Sequence, residues 1–338
     1  MLKHTEDVFT TNSTRVLGRA SELYDFRPED LNKLGSFESF VFEFAQNGQP
    51  HILKVIPGSH RLPPRIHGEL EWINYLVEGG VSAARPVRSN TGSLVELVEP
   101  ASQNDPDSEP YSLVVFEKAM GRTATEEDWS EKLFTEWGRT MGRMHALTKD
   151  YRPSHPSLTR HQWYEDEDLN PEKYLPPSEH LVREKCAALI ERIRSLPTDR
   201  DSFGLVHEDM HHGNFFVDNG KITVFDFDDC QYHWFAADIS IPLFYVMRNK
   251  RLNQGTPQFA RHFFSHFLEG YNRENSLERE WLTQIPLFHK LREMMLYIII
   301  HAEQAFELND WCRDFFKDRK HRIENDIPVI DIDFSEFR

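Results

Sequence analysis

Cysteine is scarce in this chain of 338 residues: Cys186, Cys230 and Cys312 are odd in number, far apart and without metal-type pairing. That argues against a disulfide framework and for reduced thiols, with Cys230 beside Asp229 read as a small buried residue. Long apolar runs are also lacking. The longest, near Met294 to Ile300, falls far short of the roughly 20 residues that cross a bilayer. The opening Met1-Leu2-Lys3-His4-Thr5-Glu6-Asp7 has no apolar core of a secretory leader, so a cytoplasmic address and no membrane partner are expected. Basic charge is in deficit, and a net charge of −16 leaves no footprint for nucleic acid. The same deficit means that any polyanionic ligand needs a divalent cation and a placed lysine. Surplus acid suits a cationic ligand such as an amine, and serves solubility equally well. No internal repeat is visible. What is present, 39 % hydrophobic and 28 % charged residues, fits a globular protein with room for two lobes.

The most informative stretch is His207-Glu208-Asp209-Met210-His211-His212-Gly213-Asn214, with Asp226-Phe227-Asp228 beginning twelve residues after Asn214. An Asp and an Asn five apart, then an Asp across a short hairpin, match the catalytic and metal loops of phosphoryl-transfer enzymes. Phe215-Phe216-Val217 and Ile222-Thr223-Val224 flank Asp218-Asn219-Gly220, the pattern of a β-hairpin with an Asn-Gly turn. Folding back there brings Asn214 and Asp226 to one open end, where their oxygens can share a cation. Few hard oxygen ligands, with the rest of the shell left to water and phosphate, suit Mg²⁺. Asp209, at the start of the loop and clear of that pair, is placed to orient an attacking hydroxyl and to take its proton late. The same letters fit His-Glu-x-x-His, a zinc protease signature that needs one continuous helix through His207 and His211. The strand-like Phe203-Gly204-Leu205-Val206 and the interruption at Gly213 oppose such a helix.

Upstream, Phe40 to Ala45 and His51 to Ile56 read as a hairpin around Gln46-Asn47-Gly48-Gln49, after a polar start. Lys33 to Ser39 before it reads as a turn-forming loop, whose Gly35 and Ser36 would lie over nucleotide phosphates. Lys54 stands alone among Ile52, Leu53, Val55 and Ile56. An ammonium there is costly to desolvate unless an anion meets it, either a phosphate or a glutamate of the next helix; an edge-strand lysine in water is the plain alternative. That helix spans Pro64 to Leu76 and ends at Gly79-Gly80, with Glu69 favoured over Glu71 as the partner. Tyr111 to Glu117 reads as an apolar strand leading into Lys118-Ala119-Met120-Gly121. The backbone of Glu117 and Ala119 is the candidate for an adenine edge. A boundary falls there, giving an N-lobe over 1–117 and a helical C-lobe over 118–338.

Thr125 to Leu147 reads as a helix with His145 as a hydrogen-bonded structural histidine, and Glu179 to Leu196 as another. Arg152 to Pro177 reads as an irregular surface segment or lid, most of Pro257 to Glu324 as helical, and Ile327 to Phe334 as an added strand. No activation loop is evident between Asp226 and Asp238, which favours a small-molecule acceptor over the peptide hydroxyl of a serine/threonine protein kinase. A nucleotide-binding protein without turnover is the non-enzymatic alternative.

Assembled, these parts resemble the aminoglycoside phosphotransferase and choline kinase-like family. The resemblance runs from about Leu31 to Ile239, on Leu205-Val206-His207-x-Asp209-x4-Asn214, Val224-Phe225-Asp226-Phe227, Met144-His145-Ala146-Leu147 and Ala237-Asp238-Ile239. It implies an α+β, bilobal protein-kinase-like fold and an ATP- and Mg²⁺-dependent kinase acting on a hydroxyl. In that setting Asp209 is the base, Asn214 and Asp226 the metal ligands, Lys54 the phosphate lysine, Glu69 its partner, and Asp238 a carboxylate bracing the catalytic loop. Two departures stand out. Glu208 occupies a position usually held by Gly, and Asp228 one held by Gly in protein kinases, beside Asp229 and an aromatic run, Tyr232 to Phe235, that reads either as a cation-binding wall or as core.

Overall fold

A computed structural model describes residues 2–36, 39–100, 109–249, 255–303 and 310–337. The chain divides into two compact units, Met1–Met120 with Tyr151–Thr159, and Gly121–Asp150 with Arg160–Arg338. The first contains α1 (Leu2–Tyr24), β1 (Asn32–Ser36), β2 (Phe40–Gln46), β3 (Gln49–Pro57), α2 (Pro63–Glu78), β4 (Pro86–Val87), β5 (Glu96–Val98) and β6 (Tyr111–Glu117). Its strands form one antiparallel sheet in the order β1-β2-β3-β6-β4, with β5 also paired to β6. The β2–β3 turn has φ of +52° at Asn47 and +77° at Gly48, the left-handed pair that joins two-residue hairpins without splaying the strands.

Period-two patterning decides the faces of this sheet. Phe40, Phe42 and Phe44, Leu53 and Val55, and Tyr111, Leu113 and Val115 share one buried cluster with Phe9, Val16, Ala20 and Leu23 of α1. Phe9 stacks on Phe40 with centroids 3.8 Å apart. Helix α1 covers residues read only as a polar start; the recurrence of apolar residues at 9, 16, 20 and 23 is diluted by polar neighbours. Lys54 points to the opposite pleat. It lies in the ladder between Val41 and Val114, in a central strand, and is only 9 % exposed, so it is no edge lysine in water. Of the loop expected over Lys33 to Ser39, residues 33–36 belong instead to strand β1, with a register shift between Lys33 and Gly35. The bulge absorbs the glycine while the ladder continues to Ser36. Phe37 and Glu38 lie outside the described residues.

The second unit contains α3 (Glu131–Thr148), α4 (Pro171–Tyr174), α5 (His180–Arg194), β7 (Phe203–Val206), β8 (Phe215–Asp218), β9 (Lys221–Val224), β10 (Gln231–Trp234), α6 (Phe235–Val246), α7 (Pro257–Tyr271), α8 (Arg279–Leu282), α9 (Ile285–Glu303), α10 (Asp310–Phe316) and α11 (Arg319–Glu324). This mixture confirms the α+β class. The β8–β9 turn is again left-handed at Asn219 and Gly220, with φ of +50° and +77°. The 152–177 segment is irregular and mostly at the surface, as expected, but it is anchored in the core: Trp163, Leu169 and Leu175 are core residues and Arg160 is buried, donating to the carbonyls of Cys230 (2.7 Å) and Asp228 (2.6 Å). Residues 327–334 add no strand. Their spaced apolar side chains anchor singly, Phe334 meeting Phe264 of α7 edge-on at 5.6 Å.

Helices α3 and α7 approach until backbone meets backbone. A Cβ at Gly138 would lie 1.8 Å from the Phe267 carbonyl oxygen, and one at Gly270 would lie 1.8 Å from that of Thr135. Only glycine fits either position. Gly138→Ala and Gly270→Ala are each expected to destabilise by at least about 1–3 kcal/mol, the range for overpacking a tight contact. Gly18→Ala in α1, whose Cβ would meet nothing within 4 Å, should be neutral or stabilising by up to about 1 kcal/mol. Urea unfolding of the three variants checks both directions.

Candidate active site

A relay of buried hydrogen bonds fixes the loop after β7. Asp238, fully buried on α6, accepts from the Glu208 backbone N–H at 2.8 Å and pairs with His145 Nε2 at 2.9 Å. His145 Nδ1 meets Tyr271 Oη at 2.9 Å, and Asn275 Nδ2 donates to that same oxygen at 2.9 Å. Because Asn275 supplies a proton there, the Tyr271 hydroxyl donates to Nδ1 and the imidazole donates its Nε2 proton to Asp238. Every donor thus points toward the carboxylate. His145 is the structural histidine expected, and Asp238 braces the loop as the resemblance implies. Trp137 Nε1 adds a bond to the Met210 carbonyl at 3.2 Å.

Held by its N–H, Glu208 adopts φ +68°, a conformation that glycine takes without strain. Its carboxyl is buried, and Oε2 has no hydrogen-bond partner among the described residues. Burial, then the nearby Asp238 charge, pushes its pKa up to about 8, against the pull of Arg292. Glu208 lines a cavity of about 10 Å³ to a water's centre, together with Gln231, His233 and Arg292. Gln231 Oε1 and both His233 nitrogens there are likewise unpartnered among the described residues.

Asp209 is gripped from three sides. Arg292 on α9 pairs with Oδ1, while Oδ2 accepts from Asn214 Nδ2 at 3.0 Å and faces His211 Nε2 at 3.4 Å. Asn214 Nδ2 also donates to the Asp209 carbonyl at 2.9 Å, so the expectation that Asp209 stands clear of the metal pair is corrected. Burial raises the Asp209 pKa, but the Arg292 guanidinium and then His211 outweigh it, and the net value lies below the usual carboxylate range. Arg292 is itself buried and bonds to Tyr245 Oη at 2.7 Å. Neither Arg292 nor Tyr245 was singled out from sequence. Local pattern offers no clue to Arg292, because it stands among His289, Lys290 and Glu293 and reads as one more charge on a helix.

Phe225 N–H donates to the Asn214 carbonyl at 3.0 Å, placing Asp226 one residue beyond that bond, at φ +66° and exposed. The hairpin thus brings Asn214 and Asp226 to one end. With the Asn214 nitrogen turned to Asp209, its amide oxygen is left as a hard donor that, with the Asp226 carboxylate, could hold a divalent cation. The zinc protease alternative fails on two counts. Among the described residues no helix runs through 207–211, and both imidazoles are engaged. His207 Nδ1 accepts from Asp209 N–H and its Nε2 faces the Phe225 carbonyl; His211 Nδ1 accepts from Gly213 N–H, and Nε2 turns to Asp209. The aromatic run is core for Trp234 and Phe235, which are 1 % and 0 % exposed.

In the first unit, Glu69 is buried and pairs with Arg61 at 2.8 Å. Glu71 is instead held by Tyr151 and Ser154, which leaves Glu69 as the candidate nearer Lys54 in character, a buried charge on the helix after β3. Gly35 lies exposed on β1, and Ser36 closes that strand. The Glu117 N–H is engaged by the Arg85 carbonyl at 2.8 Å, and Ala119 follows, buried.

The sequence profile described as "Phosphotransferase enzyme family" matches residues 30–278. The chain belongs to that family. It is a phosphotransferase with an alcohol group as acceptor. It is 39 % identical over 325 residues to the amicoumacin kinase of Bacillus subtilis (strain 168), covering 95 % of each chain. It is similar to the structure of amicoumacin kinase hAmiN in complex with AMP-PNP, Ca²⁺ and Ami, with a TM-score of 0.91, 38 % identity and 99 % of each chain covered. Spectinomycin phosphotransferase APH(9)-Ia, at 14 % identity, TM-score 0.57 and 96 % of each chain, shares the protein-kinase-like fold alone.

The raised pKa of Glu208 sets a pH dependence. Its pKa of about 8 lies above the ordinary 4.5, so from about pH 4.5 to pH 8 the folded protein binds a proton that the unfolded chain releases. That contribution is full below the unfolded value and is lost as pH rises through the folded one. Glu208→Gln, which cannot titrate, is therefore expected to gain stability relative to the parent as pH rises across this window. Urea unfolding at several pH values checks it, and a pH-independent difference would refute the assignment.

Proposed function

We propose that this phosphotransferase moves the γ-phosphoryl group of ATP, with Mg²⁺, directly to a hydroxyl of a small amine-bearing molecule. Amicoumacin, the compound named for its 39 %-identical relative, is the first acceptor to test. The observation that carries the reading is the Asp209 carboxylate, ionised and fixed in orientation by Arg292, Asn214 and His211.

A carboxylate whose pKa is lowered is a weaker base. It suits a reaction in which the hydroxyl is oriented first and its proton leaves late, as a loose phosphoryl-transfer transition state requires. Asp209 accepts the hydrogen bond of the acceptor hydroxyl, and the three donors hold it in line at no cost in reorganisation. Asn214 Oδ1 and the Asp226 carboxylate would hold the divalent ion, which when bound neutralises and aligns the phosphates. Lys54, buried in a central strand, is the phosphate lysine in this reading, and Glu69 its partner. Three buried, unbridged thiols suit a reducing cytoplasm. Exposed Asp229 and the surplus of acid favour an ammonium-bearing acceptor.

ADP release measured against a panel of amino alcohols, aminoglycosides and amicoumacin tests the proposal. Asp209→Asn is expected to lower turnover by about 10²–10⁴-fold while nucleotide binding persists. Turnover that survives in Asp209→Asn, or none on any acceptor, would remove it. Lys54→Met should chiefly raise the KM for ATP and lower kcat, without a change in acceptor KM.

A further inference from the structure

Away from the catalytic loop, three ligand-type side chains converge where α3 begins against α7. His262 and His266 stand four residues apart on α7, so both imidazoles leave one face of the helix. Glu131 is the first residue of α3. Its Oε1 lies 3.7 Å from His262 Nε2 and 3.4 Å from His266 Nε2. One ligand atom from each of the three residues lies within 4.8 Å of the others. Nitrogen and oxygen ligands about 2.0–2.2 Å from a tetrahedral ion are themselves separated by little more than 3 Å, so small side-chain rotations close the set.

Three further observations favour a metal over a plain surface ion pair. Both histidines aim the same nitrogen, Nε2, at a single oxygen, which leaves each Nδ1 on the far side. For His266 that Nδ1 lies 3.4 Å from Glu269 Oε2, the carboxylate that orients a ligating imidazole and raises its basicity. The His262 ring is packed edge-on against Phe134 at 6.1 Å, and the two imidazoles meet at 78° with centroids 4.9 Å apart. Finally, Gly138 and Gly270 fix the two helices against each other, so the ligands are presented by a rigid frame.

We infer that Glu131, His262 and His266 form a site for a borderline divalent transition ion, Zn²⁺ by preference, with solvent at the fourth position. Two imidazoles and one carboxylate discriminate against Mg²⁺, which takes oxygen ligands. The exposed position of Glu131 and His262 makes this a site that stitches the start of α3 to α7, separate from Asn214 and Asp226.

Chelator-treated full-length protein, titrated calorimetrically with zinc chloride in excess Mg²⁺, is expected to bind one equivalent. Affinity should fall by at least about tenfold in Glu131→Gln and in Glu269→Gln, and saturable binding should vanish in the His262→Ala/His266→Ala double variant. Co²⁺ should give tetrahedral visible bands in the parent only, and Zn²⁺ should raise the Tm of the parent and not of the double variant. Glu131, His262 and Glu269 are exposed and His266 is half-buried, so circular dichroism should match throughout. Equal titration of parent and double variant, or no saturable binding by the parent, would overturn the site.

Discussion

A carboxylate with no access to water must have its oxygens satisfied by the protein, and Asp238 is the group on which the rest of the second unit turns. One oxygen takes the Glu208 N–H and the other the His145 imidazole, itself polarised by Tyr271 and Asn275. Helices α3, α6 and α7 and the catalytic loop thereby meet at a single anion. Removing any donor would leave a buried charge uncompensated, far costlier than the net worth of an ordinary hydrogen bond. The close approach of α3 and α7 at Gly138 and Gly270 is the packing counterpart, since it brings Tyr271 within reach of His145.

The brace positions two adjacent carboxyl groups with opposite properties. Asp209 is surrounded by donors that hold its pKa below the usual carboxylate range, the state its proposed role requires. Glu208, one residue earlier, is turned inward by its left-handed backbone into a pocket where it retains a proton to about pH 8. Arg292 stands near both and compensates Asp209 directly. Neighbouring acids held at different protonation states by their surroundings are a familiar arrangement in catalytic centres. Here the departure from glycine at position 208 adds a proton-binding group to the floor of the loop.

Much of this was legible in advance. The spacing of Asp209, Asn214 and Asp226 and the Asn219-Gly220 turn follow from local patterns, because a hairpin of fixed register converts sequence separation into spatial proximity, whereas the bracing role of Asp238 was legible only through the family resemblance. Lys54 was legible for another reason, as a charge isolated in an apolar strand. Helix α1 escaped notice because its buried residues are thinly spread. Trp163 and Leu169 did so because an irregular, proline-rich backbone has no period from which burial can be read.

The sequence alone determined which side chains are available, where the catalytic hairpin folds and which family the chain resembles, since these depend on residues near one another in the chain. Tertiary structure alone decided what surrounds them. That Asp209 is neutralised by Arg292, 83 residues away, that Glu208 is buried and protonated, and that Glu131 meets His262 and His266 are outcomes of helix packing. No local pattern encodes them, because burial and Coulomb interaction depend on distance in space, which long-range packing sets.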